Sequence, residues 1–226
     1  MIHLLDNPVW SALTSGNQHL ALGNNQAKYF QPGIAPFVAV ASNSRENYQA
    51  LWDTVPGEQT VAVFTTDPDL DPSPWTIAGR IDGYQMMYDG NPPLQQPEPP
   101  VSLLQDEHVP AMLELTRLSP PGPFMEKTIR FGGYEGIFLG NLLAGMAGHR
   151  FHSGPYVEIS AVCTHPDHTG KGFARQLINS QIRQLHSAGK QPYLHVRADN
   201  TRAHEIYLTM GFVTRTAMTI YLLKKQ

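Results

Sequence analysis

The chain is poor in the features that would commit it to an oxidising compartment, a membrane or a nucleic acid. It has one cysteine, Cys163, so no intrachain disulfide can form, and a reducing cytoplasm is the expected setting. No apolar run approaches the ~20 residues needed to span a bilayer. The opening MIHLLDNPVW lacks the basic n-region and long apolar h-region of a secretory signal. Lys+Arg number 16 and Asp+Glu 19, a formal charge of −3, so there is no overall basic footprint for nucleic acid or an anionic membrane. Internal repeats are absent at the level of identity. Asp67, Asp69 and Asp71 alternate, but without the Gly and terminal Glu of a calcium loop. His165, Asp167 and His168 crowd one loop at a spacing that matches no strong ligand signature, so no metal is expected.

What is present is a globular composition, 226 residues and 41% apolar, enough for one large domain or two small ones. Of its 19 prolines, five fall within Asn91–Pro100, which reads as an extended linker and a domain boundary. Before it, residues 1–90 read as an α/β unit. Ser42 or Ser44 is placed to cap a helix over Arg45–Val55, Thr60–Thr65 is a strand, and Asp82-Gly83 looks like the turn of a hairpin. After it, residues 101–226 show a helix over Asp106–Arg117, a hairpin turning at Gly140-Asn141, and a helix from the glycine turn to His186. A strand over Pro192–Arg197, a helix over Asn200–Met210 and a last hairpin follow.

The most informative stretch is Val157–Ala174. A short apolar strand leads through Pro166 to Thr169-Gly170-Lys171-Gly172-Phe173-Ala174 and into a helix. A glycine turn feeding a helix N-terminus gathers backbone N–H groups at the positive end of the helix dipole, and such a place binds phosphate. Gly170 and Gly172 let the phosphate approach the backbone closely.

Taken with Asn200-Thr-Arg-Ala203 and Tyr207-Leu-Thr-Met-Gly-Phe212 downstream, this stretch resembles the GNAT superfamily of acyl-CoA-dependent N-acetyltransferases. Within it, the likeness is to the FR47-like branch related to glycine N-acyltransferase, over residues 101–226. The resemblance implies a mixed-sheet α/β fold, the GNAT acyl-CoA N-acyltransferase fold, with residues 1–90 as a degenerate GNAT-like half. It implies acetyl-CoA as cosubstrate, bound by the backbone of Thr169 to Ala174 at the pyrophosphate and by Val162, Cys163 and Thr164 along the pantetheine arm. Lys171 could add a point charge, because Thr169 stands where the family usually has Arg or Gln.

The resemblance makes Tyr207 the general acid toward the leaving thiolate, although the same ring could simply pack under the last hairpin. It makes Glu158 the base, with Glu135 the second choice, although a strand glutamate such as Glu158 can equally face solvent or pair with an arginine. Asn200 reads as a helix cap and as a cofactor contact, and the two are compatible. Phe124, Tyr134 and Glu135 are positional candidates for the acceptor pocket, and His195 is expected in the core or at the surface. Cys163 lacks an evident partner base, which favours direct transfer over an acyl-cysteine. The expected acceptor is a small primary amine or amino acid. A protein N-terminus, a lysine, or a non-catalytic acyl-CoA-binding module are the other readings.

Overall fold

A computed structural model describes residues 3–93 and 99–225; residues 94–98 of the proline-rich segment lie outside the described residues. Asn7 caps the short helix α1 (Pro8–Leu13), whose first position is Pro8, where a missing N–H costs nothing. Three short strands, β1 (Ala21–Gly23), β2 (Ala27–Phe30) and β3 (Val38–Val40), form a small antiparallel sheet. Helix α2 (Arg45–Thr54) follows, and the Ser44 hydroxyl accepts from Asn47 N, so of the two expected caps it is Ser44 that serves.

The other strands build one eight-stranded sheet. They are β4 (Val61–Thr65), β5 (Thr76–Tyr88), β6 (Ser102–Leu103), β7 (Glu135–Leu139), β8 (Leu142–Ser153), β9 (Tyr156–Thr164), β10 (Gln191–Arg197) and β11 (Phe212–Lys224), in the order β4-β11-β5-β10-β9-β8-β7-β6. Helix α3 (Val109–Leu118) precedes β7, α4 (Phe173–Ser187) joins β9 to β10, and α5 (Thr201–Thr209) joins β10 to β11. Neighbours are antiparallel except β9 and β10, which α4 connects as a parallel pair. No helix among the described residues is long and apolar enough to cross a membrane.

The expected division into a 1–90 unit and a 101–226 unit is not what the sheet does. Strand β5 lies between β10 and β11, and β4 closes the same sheet beyond β11. A strand from before the proline-rich segment thus completes the sheet made after it. The expected hairpin at Asp82-Gly83 is a continuous strand as well. Gly83 is there because a Cβ would sit 2.6 Å from the Val196 carbonyl oxygen, so only glycine lets β5 and β10 approach. The last hairpin is likewise one strand, β11, with an irregularity between Thr214 and Thr216.

Side chains pack on both faces of the sheet. On one face Ile178, Ile182 and Leu185 of α4 meet Val157 and Ile159 of β9, Leu194 and Val196 of β10, and Met86 of β5. The period of apolar positions along α4 is what buries them there. On the other face Phe30, Phe37, Phe64 and Leu13 from the first ninety residues join Phe131, Phe151 and Ala161 in a second core. The N-terminal segment therefore roofs the sheet on the side opposite α4.

Candidate active site

Two departures from regular pairing shape the middle of the sheet. Ala161 has φ +53, the one non-glycine residue with positive φ among the described residues, and the β8–β9 register slips between Met146↔Cys163 and Gly148↔Ser160. This is a β-bulge, which re-aims the side chains beyond it. Beside it, β9 and β10 pair only at Tyr156, Val157 and Glu158, with Gln191, Pro192 and Tyr193 as partners, and then part. From Ile159 to Thr164 the edge of β9 facing β10 is left without a strand partner, a place for an extended amide-bearing ligand to add. Val162, Cys163 and Thr164 all lie on it.

The glycine turn follows. Gly170 and Gly172 have φ of +78 and +81, and a Cβ at either would meet no atom within 4 Å. Gly172 is the N-cap of α4, and no side chain caps that helix. The first N–H groups of a 15-residue helix are thus left without a side-chain cap, beside a turn with open space around its glycines, the arrangement expected for a pyrophosphate cradle. Phe173 is buried under the turn and fixes it, and Ala174 continues the first helical turn. Thr169 turns its hydroxyl back to the Pro166 carbonyl at 3.1 Å, and Lys171 Nζ rests 2.8 Å from His168 Nδ1. Gly172→Ala would place a side chain in the cradle and strain a left-handed backbone. We expect about a tenfold loss in acetyl-CoA affinity, from a cost of ~1–2 kcal/mol, measured by calorimetric titration.

Helix α5 flanks the cradle. Its N-cap is Asn200, whose Oδ1 accepts from Ala203 N at 3.1 Å. Arg175, in the first turn of α4, donates to Thr209 Oγ1 at 2.9 Å and ties the two helices together two residues past Tyr207. Sequence reasoning passed over Arg175, because an arginine on an amphipathic helix reads as surface charge. The Tyr207 ring packs edge-on against Phe212, with centroids 5.9 Å apart. Burial pushes its phenol up to about 12. Val162 packs against the same side-chain cluster as Tyr207.

Glu158 stands where β9 and β10 part. Its side chain is 0% exposed and both oxygens are engaged. Arg150 Nε donates to Oε2 at 2.8 Å and Nη2 to Oε1 at 2.5 Å, while His195 Nδ1 donates to Oε1 at 2.7 Å. Burial alone would raise this carboxyl, but Arg150 and His195 together hold it at about 2. The role expected for Glu158 as a base conflicts with this geometry: neither oxygen is free to meet an amine.

His195 is fixed in turn. Gln85 Nε2 donates to the Leu5 carbonyl at 2.9 Å, and Gln85 Oε1 accepts from Arg215 Nε at 2.5 Å. The amide cannot be flipped without setting acceptor against acceptor and donor against donor. Its nitrogen lies 3.0 Å from His195 Nε2, so both ring nitrogens of His195 are engaged, one by Gln85 and one by Glu158. Arg215 also pairs with Asp6 at 2.7 Å. A buried chain of bonds thus runs from the N-terminal segment to the point where the strands part.

A narrow cleft opens on the roofed face, its enclosed room only about 10 Å³, the space of about one water. Phe37, Phe124, Phe131, Tyr134, Arg150 and Ser160 line it, and it reaches Ala161 at the bulge. Phe124 meets Tyr134 edge-on at 5.8 Å. Two of the three acceptor-pocket candidates thus stand together. Glu135 does not join them. It accepts from Ser180 at 3.0 Å, Gln181 at 2.8 Å and Gln184 at 2.5 Å, all on α4, on the far side of the sheet. Its work is to hold α4 to β7. Glu135→Ala should cost about 1–3 kcal/mol, read by urea unfolding, and leave turnover per folded molecule unchanged.

Cys163 is buried, and burial pushes its thiol up to about 12, which keeps it protonated and a poor nucleophile.

Comparison with known proteins agrees with this geometry. A family profile described as FR47-like protein matches residues 134–221. The chain is similar to a protein described as an acetyltransferase of the GNAT family from Novosphingobium aromaticivorans, 31% identical over 100% of both chains, TM-score 0.91. A GCN5-related N-acetyltransferase from Kribbella flavida shares the fold at 13% identity and TM-score 0.61, covering 96% of this chain and 95% of that one. Among curated proteins, the mycothiol acetyltransferase of Catenulispora acidiphila is 36% identical over 97 residues, 38% of this chain and 31% of that protein. The match thus spans about a third of that relative's length.

Proposed function

Because the chain belongs to the GNAT family of acetyltransferases, we propose that it moves an acetyl group from acetyl-CoA to the primary amine of a small molecule, by direct attack in a ternary complex. The enzyme is an acyltransferase; the acceptor class and the residue roles are the proposal. The observation that carries it is the parting of β9 and β10 beyond Glu158, beside the open glycine turn, with Tyr207 packed against the same cluster as Val162. The mycothiol acetyltransferase likeness supports a small-molecule acceptor.

The residues present suit acetyl-CoA. The N–H groups from Thr169 to Ala174 would hold its pyrophosphate. The unpaired edge at Val162, Cys163 and Thr164 would hold the pantetheine arm, with Asn200 capping the adjacent helix. The cosubstrate supplies an activated acyl carbonyl and a thiolate leaving group. Backbone N–H groups at the bulge beside Ala161 polarise that carbonyl. Tyr207 Oη holds a proton and donates it toward the departing sulfur.

No side chain lining the cleft is a free base. No carboxylate lines the cleft among the described residues, and behind it Glu158 is locked and both nitrogens of His195 are engaged. The amine therefore enters neutral, and its surplus proton leaves through the cleft to water. This gives a pH prediction: kcat/KM rises with pH up to the free pKa of the acceptor amine, and shifts when amines of different pKa are compared. An ascending limb that stays put across such a series would restore a protein base.

The function is tested by coenzyme A release from acetyl-CoA with a panel of small primary amines. Release with at least one amine, and no release when the amine is left out, is expected. Tight acetyl-CoA binding without release for any amine would make the chain a binding module.

A further inference from the structure

We propose that Arg150 determines acceptor specificity, and that the acceptor is an α-amino acid with an apolar side chain, its carboxylate held by the free edge of the Arg150 guanidinium. This rests on the amine-acetylating reading above and names the substrate class for it.

Arg150 is the one charged side chain lining the cleft among the described residues. Its Nε and Nη2 are committed to Glu158. Its face lies over the rings of Phe37 and Phe151, 5.1 and 4.7 Å from their centroids. Both contacts fix the plane of the guanidinium. Nη1 makes no hydrogen bond among the described residues, and the side chain keeps 16% of its surface exposed while Glu158 keeps none. The ion pair is therefore a dipole whose negative end is sealed in the core and whose positive edge meets the cleft.

Two more polar groups stand there without a partner among the described residues, the Tyr134 and Ser160 hydroxyls. Three donors among aromatic and proline walls suit a small anion attached to an apolar body. An amine without an anion would meet a cation and find nothing to neutralise it. A carboxylate one carbon from the amine satisfies the arginine edge, and the cleft's end at Ala161 receives the nitrogen. The aromatic and proline walls at the open mouth of the cleft cover an aliphatic side chain.

The test compares three acceptors of one shape: L-leucine, L-leucinamide and 3-methylbutylamine. With each rate referred to the neutral amine, we expect kcat/KM for L-leucine to exceed the other two by about 10- to 100-fold, the range for a hydrogen bond to a charged group. Arg150→Lys keeps a counter-charge for Glu158 and removes the second edge, so it should lower the L-leucine rate far more than the L-leucinamide rate and so erase that preference. A lysine that only failed to support the fold would lower all three rates alike. Should this variant fold poorly, Tyr134→Phe removes one donor without changing ring shape and should lower the preference several-fold.

Equal rates for L-leucine and L-leucinamide would overturn the inference and leave amine acetylation standing. If no amine releases coenzyme A, the proposed function falls, and the inference is judged by titrating L-leucine into the protein loaded with coenzyme A. Binding that is lost in Arg150→Lys and in L-leucinamide supports it, and no binding overturns it.

Discussion

Tyr207→Phe is expected to lower kcat for acetyl transfer by about 100- to 10,000-fold and to leave the dissociation constant for acetyl-CoA unchanged. The ring is held by the side-chain cluster around α4, β9 and β10 and by the edge contact with Phe212. Phenylalanine keeps both, so stability should move by less than about 1 kcal/mol. What is lost is one proton donor. Among the described residues no group hydrogen-bonds this hydroxyl, so it is free to serve a ligand.

Burial raises the phenol from 10.0 to about 12. The sign matters in two ways. The donor stays protonated throughout the range in which an amine is neutral, so wild-type activity should show no descending limb below about 12. And because the folded value lies above the unfolded one, the contribution to stability is intact below 10 and lost as pH rises toward 12. A kcat that Tyr207→Phe leaves within tenfold of wild type would remove the tyrosine from the chemistry. A descending limb near 10 in the wild type would show a phenol exposed to water, at odds with its packing.

Much of this was legible from local pattern. The strand, glycine turn and helix around Val157–Ala174 declare themselves, because helical spacing and paired glycines are properties of neighbouring residues. The Asn200 cap and the hairpin at Gly140-Asn141 are local for the same reason. What could not be read depends on contacts far along the chain. Gly83 looks like a turn glycine, yet its φ is not positive, and its reason lies in a carbonyl more than a hundred residues away. Arg215 is the extra residue where β11 slips against β5, and that slip sends its side chain to Gln85 and Asp6. Glu135 and Glu158 both looked like strand carboxylates near a cleft. The pleat and the long-range partners decided otherwise, sending one toward α4 and closing the other against Arg150. No pattern in the sequence singles out Arg150, since a lone arginine on a strand carries no sign of which carboxylate it will meet.

The fate of Glu158 yields the other large effect. Glu158→Gln should destabilise the fold by about 3–5 kcal/mol, the usual cost of leaving one member of a buried ion pair without its partner. For a chain of this size that is a fall in Tm on the order of 10 °C. A base with a pKa of about 2 is at least roughly six units too weak to take a proton from an α-ammonium group, whose pKa is ~8 at a chain terminus and higher in a free amino acid, an uphill step of at least about 8 kcal/mol. The same lowering predicts where the wild type loses stability in acid. The folded value lies below the ordinary 4.5, so the contribution is complete above 4.5 and is lost as pH falls from there toward 2. Glu158→Gln should lack that part of the acid transition. Turnover per folded molecule, measured well below the lowered Tm, should stay within about tenfold of wild type, because the bulge, the glycine turn and Tyr207 are untouched. An unchanged Tm together with a kcat reduced a hundredfold or more would return Glu158 to the chemistry as a base. The predicted pairing of lost stability with retained turnover is what a carboxylate gives when its work is to hold Arg150 and His195 in the core and it takes no proton from the amine.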